Sequence, residues 1–432
     1  MNKVASASFA GAVLEWYDFF IFGTAAALVF GPLFFPSEDR LTGIIAAFAA
    51  SAVGFLARPL GGLVFGHFGD RVGRKKSLLA TLVIIGVATT LIGCLPTYEQ
   101  VGIWAPILLS VLRLLQGFGL GGEYAGAALL TIEHAPEGKR GFWGSVPQSA
   151  AAAGVLLATG VFALVMQLPE DAVFSWGWRI PFLLSSIMMV VGLVIRFNIT
   201  ETPDFKKAVE EAAGKPSRPP LLILLKESPR ALLLTIGARL AETTASNVIN
   251  TFTIVYVSSQ LALDRSIPLR GVLIASAIGI FMCPLVGWLS DRVGRRTMYV
   301  VGAGFMALFA FPYFMLLNTQ NVTLIFVAMV MAFNFGQMTM FAVQPTFFSE
   351  LFGAGVRYTG LSIAYQFSAI FGGFSPLIAA SLLKFGGGEP WYVAIFLAVV
   401  CLVSLICAVV VKAGALPVSA ALGKPAALRG NL

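Results

Sequence analysis

Twelve long apolar stretches divide this chain, and each is long enough to cross a lipid bilayer as a helix. A bilayer core requires about 20 apolar residues in an α-helix, and these stretches lack the apolar–polar alternation of barrel strands. The sequence therefore predicts an all-α membrane protein with twelve transmembrane helices. The stretches fall at 8–35, 41–66, 77–96, 102–132, 142–166, 176–196, 229–259, 268–289, 297–317, 322–349, 355–383 and 390–411.

The composition agrees with this fold class and excludes several functions. Of the 432 residues, 58% are hydrophobic and only 12% are charged, about half the charged share of a soluble protein. The net charge of +8 does not indicate a nucleic-acid partner, because the basic residues lie in short loops. The four cysteines lack metal-ligand spacing, and no P-loop motif is present. We therefore expect a lipid bilayer as partner, and no cofactor, metal site or enzymatic activity.

The basic residues also predict the orientation of the chain. Most of the 29 Lys and Arg lie near the N-terminus, in the tail and in the connections that follow even-numbered stretches. We call this face of the protein the basic side and the other face the opposite side. Basic loops remain in the cytoplasm, so both termini and the loop 198–228 are predicted to be cytoplasmic. That loop separates two predicted helix bundles, 1–197 and 229–412, and a cytoplasmic tail is predicted at 413–432.

The two predicted bundles carry the same sequence motif. D-R-V-G-R occurs at 70–74, after the second stretch, and again at 291–295, after the eighth. Glu133 and Arg140 follow the fourth stretch, and Glu350 and Arg357 follow the tenth with the same spacing. These repeats predict two pseudo-symmetric six-helix bundles, the arrangement in which a transporter rocks around a site between its halves.

Four motifs resemble those of a known family. G-D-R-V-G-R-K-K (69–76) resembles the loop signature of the major facilitator superfamily. L-E-W-Y-D-F (14–19), R-P-L-G-G (58–62) and R-L-L-Q-G-F-G-L-G-G-E-Y (113–124) are similar to its metabolite:proton symporter branch. Members of that branch transport shikimate, α-ketoglutarate, citrate or proline/betaine. The resemblance spans nearly all twelve stretches, implies the major facilitator fold, and leads us to expect a bacterial inner-membrane protein.

The resemblance further implies that the repeated loop motif is a conformational latch. Its glycines permit a tight turn, and its aspartate can interact with a helix N-terminus or with the following arginine. The alternative is that the basic residues of the motif serve only as topology anchors. The implied latch residues are Asp70, Arg71, Gly73, Arg74, Asp291, Arg292 and Arg295.

Seven charged residues lie within the predicted spans and at least seven positions from either end of a span. Each costs about 2.5–3.5 kcal/mol at bilayer depth unless it is paired or hydrated. We therefore expect them to face a shared polar cavity between the two halves. They are Glu15, Asp18, Arg58, Arg113, Glu123, Arg239 and Glu242.

Three of these carboxyls are candidates for proton coupling. Glu15 and Asp18 are three residues apart and share one face of the first helix. Two carboxylates so close resist simultaneous ionisation, so one of them is expected to carry a proton. Glu123 lies at the far end of the fourth span and is the third candidate. Alternatively, one of the first two pairs permanently with an arginine such as Arg113 and only joins helices.

The candidate substrate residues are two arginines and a group of polar side chains. The planar fork of arginine suits a carboxylate, although each arginine could instead form a structural ion pair. A polar stripe runs along the seventh span, and further amides and a ring lie in the tenth and eleventh. These groups could hydrogen-bond a solute or merely bond helices together. The predicted set is Arg113, Arg239, Glu242, Asn250, Gln337, Tyr365 and Gln366.

The leading hypothesis is a monomeric, proton-coupled symporter that imports a small organic acid, shikimate-like or dicarboxylate-like. Protonation of a carboxyl and docking of the solute carboxylate on arginines neutralise the site, which permits the halves to rock. One alternative is a symporter of a zwitterion such as proline or betaine. The other is a non-transporting sensor on the same scaffold, which we disfavour because the central loop and tail are short for a signalling appendage.

Overall fold

The computed structural model describes residues 2–72, 74–121, 131–132, 135–197, 224–226, 228–353 and 356–411. Side chains are not described at 2–8, 10, 66–72, 74–75 and 195–197. Of the predicted residues, Glu123 and Gly73 lie outside the described residues, as do the side chains of Asp70, Arg71 and Arg74. The loop 198–228 and the tail fall almost entirely outside them as well.

The described residues form twelve long helices, which coincide with the twelve predicted stretches and confirm the fold class. We label them α1 to α12 in chain order. Their bounds are α1 Asn2–Leu28, α2 Arg40–Val72, α3 Arg74–Gly93, α4 Trp104–Leu120, α5 Arg140–Val165, α6 Ile180–Phe197, α7 Pro229–Asn247 with its continuation to Gln260, α8 Ser266–Val293, α9 Arg295–Asn318, α10 Val322–Ser349, α11 Arg357–Phe385 and α12 Trp391–Val410.

Among the described residues, nine helices are long and apolar enough to cross a membrane. The shorter apolar helix α4 adds to these nine. The exceptions are α1 and α7, and α7 is the helix that carries the predicted polar stripe. Short helical turns at Phe30–Phe34, Tyr98–Val101, Glu170–Ser175 and Gly177–Arg179 lie in the connections.

The backbone conformation at Gly294 explains the glycine in the second copy of the loop motif. Gly294 separates α8 from α9 with φ of +102°, a backbone conformation that residues with a side chain rarely adopt. The turn lets α9 begin at the next residue, Arg295. Glycine at this position therefore allows two long helices to follow each other without a loop.

Two helices contain π-helical turns. In α7 they occupy Val248–Phe252 and Tyr256–Gln260, and in α10 the turn occupies Ala332–Met338. In each helix a threonine hydroxyl donates to the backbone carbonyl five residues earlier. Thr253 donates to Val248 O at 3.0 Å, and Thr339 donates to Asn334 O at 3.0 Å. Such turns occur often at functional sites, and the sequence reading did not anticipate them.

The two six-helix bundles pack closely along α5–α8 and α2–α11. Small residues permit the first crossing: a Cβ on Gly287 of α8 would stand 2.1 Å from Ser145 Oγ of α5 and 2.6 Å from Gly141 O. At the second crossing, a Cβ on Gly373 of α11 would stand 2.1 Å from the Phe55 ring of α2. Glycine is therefore required where the halves touch.

Candidate functional site

Asp18 lies buried in the N-terminal half and accepts a hydrogen bond from Ser185 Oγ of α6. No Lys or Arg among the described residues forms an ion pair with its carboxyl. Its backbone carbonyl accepts from Gln116 Nε2 at 3.1 Å, and the same amide nitrogen donates to Thr89 Oγ1 at 2.8 Å. Four helices (α1, α3, α4 and α6) thus meet around Asp18. A carboxylate held here without a cation would be costly, and a proton would remove that cost.

Arg113 lies beside this cluster and is also buried, at 3% exposure. Its Nε donates to Ser51 O at 3.3 Å, and Nη1 donates to Gln116 Oε1. The guanidinium stands 4.2 Å from the centre of the Phe22 ring and 5.7 Å from that of Phe55. Within the described residues it has no carboxylate partner, so the predicted alternative of an Asp18–Arg113 ion pair does not form. Gln116 lies between the two groups instead.

Glu15 is half-buried one turn before Asp18 on α1 and makes an interaction of its own. The partner of Asp18, Ser185, was not among the predicted residues. A serine is a weak sequence signal, because a neutral hydroxyl in a helix can bond its own backbone and costs little to bury.

In the C-terminal half, Arg239 and Glu242 form an ion pair, with 3.7 Å between Nη2 and Oε2. Both are 4% exposed. Arg239 Nη1 also donates to Tyr365 O at 3.0 Å and to Ser368 Oγ at 2.8 Å, and its guanidinium lies 3.3 Å from the Tyr365 ring centre. Gln344 bridges the pair: it accepts from Arg239 Nε at 3.4 Å and donates to Glu242 at 3.3 Å. The alternative that these two charges neutralise each other thus has direct support.

Asn250 and Gln337 meet at the π-helical turns. Asn250 Nδ2 donates to Gln337 Oε1 at 3.4 Å, and Gln337 Nε2 donates to Ser246 Oγ at 3.0 Å. Asn250 Oδ1 is buried and accepts no hydrogen bond from the described residues. An unsatisfied acceptor of this kind is costly inside a protein, so it is available for a donor on a solute.

The two clusters approach each other across the boundary between the halves. Arg58 Cζ lies 5.5 Å from the Phe55 ring centre, and its charge repels those of both Arg113 and Arg239. Gln366 of α11 donates to Gly121 O of the N-terminal half at 2.7 Å. Three arginines therefore line the centre of the molecule, and only Arg239 has an ion-pair partner among the described residues.

In the described part of the chain the predicted shared cavity does not open onto these groups, since Asp18, Arg113, Arg239 and Glu242 are each at most 4% exposed. A cavity of about 1030 Å³ lies between the halves on the opposite side, and one of about 150 Å³ lies on the basic side. Neither is lined by the predicted proton or substrate residues. The structure thus holds these side chains in two buried clusters that face each other, each closed by its own hydrogen bonds.

The latch residues of the second motif reach across the halves on the basic side. Asp291 of α8 accepts from the backbone nitrogens of Gly141 at 2.7 Å and Phe142 at 2.9 Å, at the first turn of α5. Its carboxylate therefore caps the positive end of a helix from the other half. Arg295 pairs with Asp291 at 3.4 Å and with Glu350.

Arg292 does not join this network. It is exposed, and its guanidinium lies 3.7 Å from the ring centre of Trp288 on its own helix. Of the three latch residues predicted in the second motif, Asp291 and Arg295 are therefore positioned to connect structural elements, whereas Arg292 lies against Trp288 of its own helix.

Asp291→Ala is expected to favour opening of the basic side. A lost N-terminal cap costs about 1 kcal/mol, which corresponds to roughly a fivefold change in the population of the open state. The measurement is the alkylation rate of a cysteine placed at Ser349, which is buried beside the basic-side cavity, in a variant without native cysteines. The same change at exposed Asp171 is the control. Equal labelling of both variants would contradict the latch.

Two ion pairs join the halves on the opposite side. Lys384 of α11 contacts Asp39 before α2 at 2.6 Å, and Arg265 before α8 contacts Glu170 after α5 at 3.2 Å. Hydrogen bonds from Lys384 and then Thr42 lower the pKa of Asp39 from 3.8 to about 2. Because the folded value lies below the unfolded one, the charged pair is intact above about pH 4 and is lost as the pH falls towards 2.

The Asp39–Lys384 pair should consequently not contribute to the pH dependence of uptake between about pH 5 and pH 8. Asp39→Asn is expected to leave the shape of the uptake–pH profile between about pH 5 and pH 8 unchanged. It should raise the rate of opening on the opposite side by no more than about fivefold, since exposed ion pairs are weak. Uptake rates across that pH range test this prediction, and a flattened profile would contradict it.

Three comparisons relate the chain to known proteins. The sequence model of the Major Facilitator Superfamily matches residues 8–376. The shikimate transporter of Escherichia coli K12 is 42% identical over 413 residues, which cover 95% of this chain and 94% of that protein. The proline/betaine transporter of the same strain is 36% identical over 424 residues, covering 95% and 83%. The xylose transporter of E. coli, solved in a partially occluded inward open conformation, shares the fold, with a TM-score of 0.72, 18% identity and coverage of 94% and 96%.

Proposed function

The chain belongs to the major facilitator superfamily and is a multi-pass secondary transporter rather than an enzyme, and from that premise we propose that it is a proton-coupled symporter of a small organic acid. The observation that carries the proposal is a pair of complementary buried charges. Asp18 has no cation in ion-pair contact, and Arg113 has no carboxylate, among the described residues. A proton would neutralise the Asp18 carboxylate, and the carboxylate of an organic acid would neutralise the Arg113 guanidinium.

The excess of arginine favours an acid over a zwitterion. Arg58 and Arg113 have no ion-pair partner among the described residues, whereas Glu242 already has Arg239. The ammonium group of a betaine would be repelled by these two arginines, and Glu242, which could attract it, is already paired with Arg239. The relative named as a shikimate transporter agrees with an acid as solute, and the relative named as a proline/betaine transporter keeps the zwitterion as the second candidate.

The proposed cycle follows from charge neutralisation. A proton binds Asp18, with Glu15 and Glu123 as further candidate carriers, and the solute carboxylate docks on Arg113 near Arg58. In the C-terminal half, Asn250 offers its unsatisfied acceptor to a solute hydroxyl, and Gln337, Tyr365 and Gln366 complete the site. Closure around a neutral site removes the cost of burying unpaired charge. The fully loaded carrier and the empty carrier with ionised Asp18, whose charge offsets that of Arg113, therefore rock readily, whereas the empty protonated carrier keeps an unpaired guanidinium and does not.

The topology belongs to the same proposal. We place the basic side in the cytoplasm of a bacterial inner membrane, because loops rich in Lys and Arg are retained there. The predicted division at 198–228 then separates two bundles that rock against each other as a monomer. The Asp291 contacts hold the cytoplasmic side closed, and the Asp39–Lys384 and Glu170–Arg265 pairs hold the external side closed.

Uptake into proteoliposomes tests the function. The purified chain should accumulate labelled shikimate when the outside is more acidic than the inside, and collapse of the pH gradient should stop accumulation. A panel with α-ketoglutarate, citrate, proline and betaine identifies the solute class. Uptake that is indifferent to the pH gradient would overturn proton coupling, and uptake restricted to betaine or proline would replace the acid by the zwitterion.

A further inference from the structure

The cavity of about 1030 Å³ on the opposite side is separate from the proposed transport site. One wall is α5 from Leu156 to Met166, and the other is the α7–α8 connection with the first turns of α8. The two helices touch towards the basic side, where Cys283 Sγ donates to Ser145 O at 3.3 Å. They separate towards the cavity: beside Gly160 the nearest atom, Leu273 Cδ2, lies 3.7 Å from where a Cβ would stand.

Charged side chains gather at the mouth of this cavity. Arg40, Arg265 and Arg270 line it, together with Glu170 and Asp264. Arg265 is engaged by Glu170 at 3.2 Å. Arg40 and Arg270 are exposed and form no ion pair within the described part of the chain. Three arginines against two carboxylates leave the mouth with one net positive charge, so it attracts an anion.

The walls below the mouth are apolar and open to the membrane. Leu157 and Leu164 of α5 line the cavity while 41% and 67% exposed. The lining of α5 extends from Leu156 to the end of the helix at Val165, roughly 14 Å at 1.5 Å per residue. That depth is close to half of the approximately 30 Å bilayer core, which is the acyl region of one leaflet.

We propose that this cavity binds an anionic phospholipid of the leaflet on the opposite side, with its phosphate on Arg40 and Arg270 and an acyl chain along Leu157 and Leu164. The commitment to a lipid follows from the combination of features. A free metabolite anion would use the arginines but would leave the apolar walls uncovered, whereas a phospholipid covers both. A lipid in this position also separates α5 from α8 on one side only, so it favours conformations in which the halves part there.

Native mass spectrometry of the full chain in detergent tests the headgroup contacts. The probes are phosphatidylglycerol and phosphatidylcholine with identical acyl chains. Arg40→Gln/Arg270→Gln should weaken binding of the first phosphatidylglycerol by about tenfold or more, because each basic residue at a membrane surface contributes to anionic-lipid binding. Binding of phosphatidylcholine should fall by less, because its choline cation already opposes contact of its phosphate with the two arginines. Arg230→Gln, an exposed arginine on the basic side, is the control. Unchanged phosphatidylglycerol binding by the double variant would overturn the proposal.

A second variant tests the apolar walls. Gly160→Leu should narrow the cavity without moving the backbone and should also weaken binding of the first phosphatidylglycerol. Gly304→Leu is the matched control, since the nearest atom to its Cβ position is 4.0 Å away. Normal lipid binding by Gly160→Leu, together with displacement of phosphatidylglycerol by millimolar inorganic phosphate, would assign the arginines to a free anion and overturn the lipid. The measurement does not depend on transport, so its failure is distinct from a failure of the proposed symport.

Discussion

Asp18→Asn is expected to abolish pH-driven accumulation of the solute while leaving solute exchange across the membrane intact. Asparagine preserves the shape of the side chain and can still accept from Ser185, but it cannot bind and release a proton. With one proton per solute, a gradient of two pH units supports accumulation of up to about 100-fold. The variant should reach a ratio close to one. Proteoliposome accumulation and counterflow of labelled solute measure the two properties separately.

The same substitution at Asp171, which is exposed in the α5–α6 connection, is the matched control and should accumulate normally. Glu15→Gln is the informative companion, because Glu15 shares the face of α1 with Asp18. If Glu15→Gln loses accumulation and Asp18→Asn accumulates normally, the proton-binding site is Glu15 rather than Asp18. Normal accumulation by both variants would contradict the assignment of the proton site to this pair.

The fold could be predicted from the sequence because its determinants are local. An apolar stretch of about 20 residues signals a spanning helix wherever it lies in the chain, and the D-R-V-G-R repeat indicates the duplication. The charged residues at the centre were also predictable, since burying them is costly. Asp18, Arg113, Arg239 and Glu242 are indeed buried, but they lie in two clusters rather than around one open cavity. Their roles in transport stay predictions.

The partners of these residues could not be predicted, because they depend on how helices pack. Ser185 meets Asp18 from a distant helix, and nothing in its surrounding sequence marks it. For the aspartate of the motif the sequence left open a helix N-terminus or the following arginine. Asp291 contacts both, and the sequence does not indicate that the helix is α5 of the other half. The π-helical turns that carry Asn250 and Gln337 depend on hydroxyl bonds and packing rather than on a residue pattern. The hydrogen-bond partners of the site residues therefore depend on tertiary contacts, which local sequence patterns do not indicate.

Arg113→Gln is expected to cost most of the affinity for an organic acid without unfolding the protein. The guanidinium is buried between aromatic rings and has no carboxylate partner among the described residues, so its removal strands no buried anion there. Removing the arginine from a buried ion pair with the solute carboxylate costs about 2–5 kcal/mol of binding free energy. That cost weakens binding roughly 30-fold or more. Calorimetric titration with shikimate and uptake KM measure the loss, and thermal unfolding monitors the fold.

Arg239→Gln provides the contrast that distinguishes a substrate role from a structural one. Its removal leaves Glu242 buried without its cation, a defect of about 3–5 kcal/mol, so this variant should lose thermal stability first. Arg113→Lys should recover part of the affinity, since it restores the charge without the planar fork. If Arg113→Gln destabilises the fold as Arg239→Gln does while the remaining folded protein binds the acid normally, Arg113 is structural. The solute carboxylate must then dock elsewhere. Arg58, which is half-buried, is the other central arginine that lacks an ion pair among the described residues.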